Sequence, residues 1–174
     1  MLRQGAPTAD YWWVQSGLDD VNRRVVASAV AEMASNRELP IAYSPIYDGI
    51  YFDFENGMLR YNGGALGHGL TCATFIMAVF DALGLALFKV EEWKARPEDA
   101  VWRAEIVRML RETCSATDEH VDAILNRPAG ARFRPEEVAG SVTETTVPVA
   151  FDRAQVLGRQ VLSEMAAPRP GHTS

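Results

Sequence analysis

Cysteine is scarce in this chain, with two residues in 174, Cys72 and Cys114, and histidine is nearly as rare, with three, His68, His120 and His172. Neither set shows zinc spacing, such as paired cysteines two apart or histidines four apart on one helix, so no metal is expected. A disulfide is not needed at this length, and the two cysteines fall in separate predicted helices, so reduced thiols are expected. Positive charge is also in deficit. A net charge of −6 and a pI near 5.1 give no electrostatic basis for holding nucleic acid or anionic lipid. The start, Met1 to Pro7, has no apolar run of signal-peptide length, which makes the cytoplasm the expected location. A long uncharged apolar run is missing as well: Leu70 to Phe88 is broken by Asp81 and Gly84 and has no flanking basic cluster. It reads as a helix ending near Leu83 and a buried strand from Ala86 to Val90, with no membrane span. Finally, the glycine-rich stretch 63–69 lacks the Gly-Lys-Ser/Thr ending of a phosphate loop and does not fit Gly-x-Gly-x-x-Gly, so no cofactor is expected.

The totals, 48% apolar and 23% charged, are those of a globular chain. One domain over residues 1–166 is expected, followed by a disordered tail, 167–174, rich in proline and small polar residues. The stretch the chain is organised around runs from Asn62 to Phe88, where a glycine loop leads into an apolar helix headed by Cys72. A helix apolar on every face belongs inside a fold.

Around that helix the local signals are as follows. Tyr11-Trp12-Trp13 groups three rings that suit a lid over a core edge. Ser16 or Asp19 caps a helix to about Asn36, with Leu18, Val21, Val25, Ala29 and Met33 inward and Arg23, Arg24 and Glu32 left for solvent. Asn56-Gly57 between Ile50–Phe54 and Met58–Tyr61 predicts a tight hairpin. Pro97-Glu98-Asp99 opens a helix to about Cys114, which reads as a structural cysteine, and Thr117 caps a short helix to Asn126. Residues 133–138 look like one helical turn, Ser141 to Phe151 suits a last strand broken or placed at an edge by Pro148, and Asp152 caps a final amphipathic helix. The fold class this predicts is α+β, a small mostly antiparallel sheet packed on a buried central helix with amphipathic helices around them.

Chemistry would centre on Cys72. A thiol in the first turn of a helix can be activated by the positive end of the helix dipole and by backbone N–H groups. Gly67-His68-Gly69-Leu70-Thr71-Cys72-Ala73-Thr74-Phe75-Ile76 resembles the nucleophile helix of papain-like cysteine peptidases and amidases, the group that includes the NlpC/P60 and circularly permuted bacterial branches. The hairpin ahead of the cysteine looks more like the permuted branches. What the resemblance implies is a cysteine hydrolase of a peptide or amide bond, with Cys72 as nucleophile on a central helix packed against a small sheet. The base would be His68, four residues earlier in the loop, or His120, in the first turn of the Thr117 helix; no predicted strand carries a histidine, and His172 lies in the tail. Asp53, and less well Asp48 or Asn62, would orient the base, and Gly67 and Gly69 would let substrate backbone come close. The alternative is a scaffold without catalysis or a protein-binding module, in which Cys72 is a small core residue and the Tyr11–Trp13 segment meets a partner.

Overall fold

The computed structural model describes residues 13–35, 41–48, 51–55, 58–61, 64–113 and 116–167. The predicted tail from 168 onward, with His172, lies outside these residues, as do Tyr11, Trp12, Cys114, Asn62 and the hairpin turn 56–57. Along the chain come α1 (Asp20–Ser35), β1 (Phe52–Glu55), β2 (Met58–Tyr61), α2 (Cys72–Ala82), α3 (Pro97–Thr113), α4 (Asp118–Leu125), α5 (Pro135–Ser141) and α6 (Phe151–Ala166), with a 3₁₀ turn at Val90–Glu92.

The fold is therefore all-α, and the expected α+β class is overturned. Among the described residues strand is confined to one antiparallel hairpin in which Phe52 faces Tyr61 and Glu55 faces Met58. The two other predicted strands do not form. Residues 86–89 form no strand and bridge 141–151 at one point, between Phe88 and Val149, and Val90 already opens the 3₁₀ turn. Val149 donates its N–H to the Leu87 carbonyl at 2.7 Å. The residue before it, Pro148, has no N–H to carry a ladder further. The start of the Thr/Val-rich run belongs instead to the end of α5, where Val142 N–H bonds the Val138 carbonyl and Thr143 N–H that of Gly140.

Three apolar clusters hold the helices. In the largest, α2 lends Ala73, Met77 and Phe80, while α5 and α6 add Val138, Phe151, Ala154 and Leu157. Trp93 stands at its centre, 4.3 Å from the ring of Phe88, 4.9 Å from that of Phe133 and edge-on to Phe151 at 5.1 Å. Each such ring pair contributes about 0.5–1.5 kcal/mol beyond its buried area. A second cluster joins Met33 of α1 to Tyr51, Phe52 and the far face of α2, and a third joins α3 to α4 through Val107, Leu110, Val121 and Ile124.

Helices α5 and α6 approach each other closely because glycines face each other's partners. A methyl group on Gly140 would stand 2.7 Å from Leu157 Cβ, and one on Gly158 2.9 Å from Glu137 Cγ. The central helix is not apolar all round in use, since Cys72 and Ile76 are exposed. The stripe on α1 is also rotated from its expected setting: Val21 and Val25 are exposed, and the helix packs inward through Val26, Val30, Ala29 and Met33.

Candidate functional site

Helix α2 begins at Cys72 because the two threonines around it cap one another. Thr71 N–H donates to Thr74 Oγ1 at 2.8 Å, and Thr74 N–H to Thr71 Oγ1 at 3.1 Å. Of the four N–H groups that a helix start leaves unpaired, this box satisfies two. Among the described residues those of Cys72 and Ala73 have no hydrogen-bond acceptor, at the same end as the exposed free thiol. Cys72 is thus a surface residue, and its expected alternative role as a small core residue is overturned.

The thiol lies on the wall of a cavity of about 390 Å³. Helix α1 and the segment before it line one side with Leu18, Arg23 and Val26, α2 the floor with Ala73, Ile76 and Phe80, and α5 with Val142 the other side through Val138 and Ala139. Arg23 is its single charged lining residue among the described residues. Neither His68 nor His120 lines it.

Both histidines are engaged elsewhere. His120 is buried, and its ring bridges two strangers in sequence: Nδ1 accepts from Gly67 N–H at 3.2 Å, and Nε2 lies 3.0 Å from the Tyr43 carbonyl. Those partners set the neutral tautomer with the proton on Nε2, donating to Tyr43, and leave no nitrogen to take a proton from a thiol. His68 is half-buried, with Nδ1 3.6 Å from Asp48 Oδ1. Asp48 also accepts from Tyr51 Oη at 2.8 Å and pairs with Arg127. Asp48, expected to orient the base less well than Asp53, is therefore the carboxylate that meets a histidine. Asp53 is exposed on β1, opposite Arg60 in the strand register.

The two glycines expected to admit substrate are both buried against the protein's own backbone. Gly67 has φ +78°, and its carbonyl accepts from Ser44 Oγ at 3.0 Å. A Cβ on Gly69 would lie 2.4 Å from the Ala42 carbonyl oxygen, and the next residue, Leu70, donates its N–H to that same oxygen. The glycines serve to dock the loop between residues 42–46 and α4.

Three partly buried groups outside the cavity lining are shifted. Burial pushes the Glu137 carboxyl above the usual range although Arg96 and Arg134 oppose this. Burial likewise raises Asp81, against the hydrogen bond it accepts from Tyr47, whose hydroxyl burial and Asp81 hold protonated beyond its ordinary range. Among the described residues no group of three or more His, Cys, Asp or Glu could hold a metal ion, and no helix is long and apolar enough to cross a membrane.

Sequence reasoning missed the cavity. The cavity draws Arg23, expected in solvent, and Val142, expected in a strand, to its wall, while Leu18, Val26 and the spacing of Cys72, Ile76 and Phe80 are the signals of a shared face. Comparison of the chain with protein-family models, with curated proteins and with solved structures finds no match.

Proposed function

We propose that this protein binds a small apolar molecule in the cavity between α1, α2 and α5. The observation that carries the reading is the lining itself: one cation and one thiol on walls otherwise made almost wholly of aliphatic and aromatic carbon. Pockets of this size and character are what proteins present to small ligands. Cys72 serves as a reporter on the wall and needs no base for that role. The expected location in the cytoplasm is kept as part of this proposal, in keeping with a free thiol.

The test is protection of Cys72. An environment-sensitive apolar dye should bind the native protein and slow alkylation of Cys72 by N-ethylmaleimide. Ala139→Trp, which fills the cavity from a half-buried position, should abolish both effects while leaving the unfolding midpoint close to wild type. Dye binding that survives Ala139→Trp, or alkylation indifferent to the dye, would remove the cavity from the proposal.

A second reading, hydrolysis of a peptide or amide bond by Cys72, is favoured by one feature. The exposed thiol shares its helix end with the N–H groups of Cys72 and Ala73, which suit an oxyanion. This reading needs His68 to leave Asp48 and reach the thiol. Alkylation by iodoacetamide that stays fast well below pH 8 and slows in His68→Ala would support it. The same rate in wild type and His68→Ala, following an ordinary thiol titration, would end it.

A further inference from the structure

The walls of the cavity between α1, α2 and α5 are unequally firm. Those from α2 and α5 include Ala73, Phe80 and Val138, members of the largest apolar cluster, and Val26 of α1 packs against that same cluster. The remaining wall is a strap, residues 13–18, which has no regular structure and supplies Val14, Ser16 and Leu18. Leu18 packs against the core, whereas Val14 is 42% exposed and Trp13 before it 78%. Among the described residues one backbone hydrogen bond ties the strap across to the end of α5, from Gly17 N–H to the Val142 carbonyl at 2.9 Å. That contact admits only glycine. A Cβ on Gly17 would stand 2.3 Å from the Thr143 carbonyl oxygen and 2.5 Å from that of Glu144.

We infer that residues 13–18 are a gate on this cavity, which lifts from Val142 to admit an apolar molecule and closes over it through Val14 and Leu18. This rests on the reading of the cavity as a binding site. The hinge is at Asp19, whose carboxylate accepts from Val21 N–H and Asn22 N–H at 2.9 Å and so keeps the end of the strap on α1. Leu18, next to the hinge, moves least, and Val14 moves most. The latch is the Gly17 bond, and a single hydrogen bond of this kind holds the closed form over the open one by a factor of only about three to ten. The turn that receives it is the fixed partner: Val142, Thr143 and Glu144 each donate an N–H back to α5, to the carbonyls of Val138, Gly140 and Ser141. Opening therefore moves the strap alone and leaves the helices in their clusters, as a local opening of low cost does.

The experiment is stopped-flow mixing of the full chain with the neutral apolar dye Nile red, in wild type and in Gly17→Ala. The added methyl meets the fixed turn and holds the strap away from it, so association and dissociation should both quicken by about threefold to tenfold. Ser16→Ala, which removes the acceptor of the Leu18 N–H inside the strap, should quicken both by a smaller factor of about two. The urea midpoint of unfolding should stay near wild type in both variants. Dissociation that quickens alone, with association unchanged, makes the strap a fixed wall and overturns the gate while leaving the cavity reading standing. Wild-type rates in Gly17→Ala overturn it likewise, as do rates that quicken only alongside a lowered urea midpoint. Failure of the dye to bind wild type ends the cavity reading, and the gate falls with it.

Discussion

His120→Ala should unfold this protein much more easily while doing little to the reactivity of Cys72. The imidazole is buried and joins two segments far apart in sequence, Gly67 in the glycine loop and Tyr43 before the hairpin, beside the Ser44–Gly67 and Leu70–Ala42 bonds that also link them. Truncation strips the Gly67 N–H of its acceptor and removes a donor from the Tyr43 carbonyl. Leaving the buried Gly67 N–H unpaired costs about 1–3 kcal/mol, so the loss should be about 1–3 kcal/mol from that contact. Against a total stability of about 5–15 kcal/mol for a domain, that is a large share. Two further variants separate the bonds. Asparagine places an oxygen near the Nδ1 position and should recover the Gly67 contact, and glutamine places an amide N–H near Nε2 and should recover that to Tyr43. Urea unfolding followed by far-UV circular dichroism reads all three, with the slope against urea checking that the same transition is compared. Wild-type stability in His120→Ala, or asparagine and glutamine no better than alanine, would refute the bridge and return His120 to the pool of free bases.

The remaining expectations concern packing and protonation. Gly140→Ala should destabilise by about 1–3 kcal/mol, because its methyl would stand 2.7 Å from Leu157 Cβ across the α5–α6 contact. Gly130→Ala, with nothing within 4 Å of the added carbon, should stay within about 0.5 kcal/mol of wild type in the same denaturation assay. Glu137 holds its proton to higher pH when folded than when unfolded, so between its ordinary value of 4.5 and its raised folded value the native state binds more protons. Stability should therefore fall as pH rises through that window, and Glu137→Gln should flatten the slope, with Asp81→Asn removing a further part of the same sign. Thermal midpoints that rise across the window, unchanged in Glu137→Gln, would contradict this. Arg96→Met should cost about 3–5 kcal/mol at neutral pH, since it strands the buried Glu137 carboxylate, and the cost should shrink as acid protonates that group.

Local rules made the helices legible, and tertiary geometry decided the rest. Thr117 caps α4 as its position announces, its hydroxyl accepting from His120 N–H, and Pro97 opens α3. The hairpin lies where Asn56-Gly57 calls for it, at Phe52–Glu55 and Met58–Tyr61. The β-branched run after Ser141 misled, because Thr and Val favour a strand only when a neighbour offers a ladder. Here the sole pairing is Phe88 with Val149; Val142 caps α5 on the cavity wall, and Val147 and Val149 pack in the core.

The candidate site was less legible, for a different reason. Four residues separate His68 from Cys72, a spacing that suggests contact on a helix, but His68 precedes the Thr71 cap and lies outside α2. Its ring centroid is 6.4 Å from that of Tyr51, which stacks on Tyr47, and Tyr47 donates to Asp81. Asp81 follows Cys72 by nine residues, two and a half turns at 3.6 residues per turn, so it projects from the opposite face of α2. The histidine thus belongs to the aromatic and acidic face of that helix, and the thiol to the apolar one. Any chemistry that joins them must carry the loop around the helix start, against the Leu70 bond to Ala42 and the Gly67 bonds to Ser44 and His120. Ligand binding at the apolar face requires no such movement.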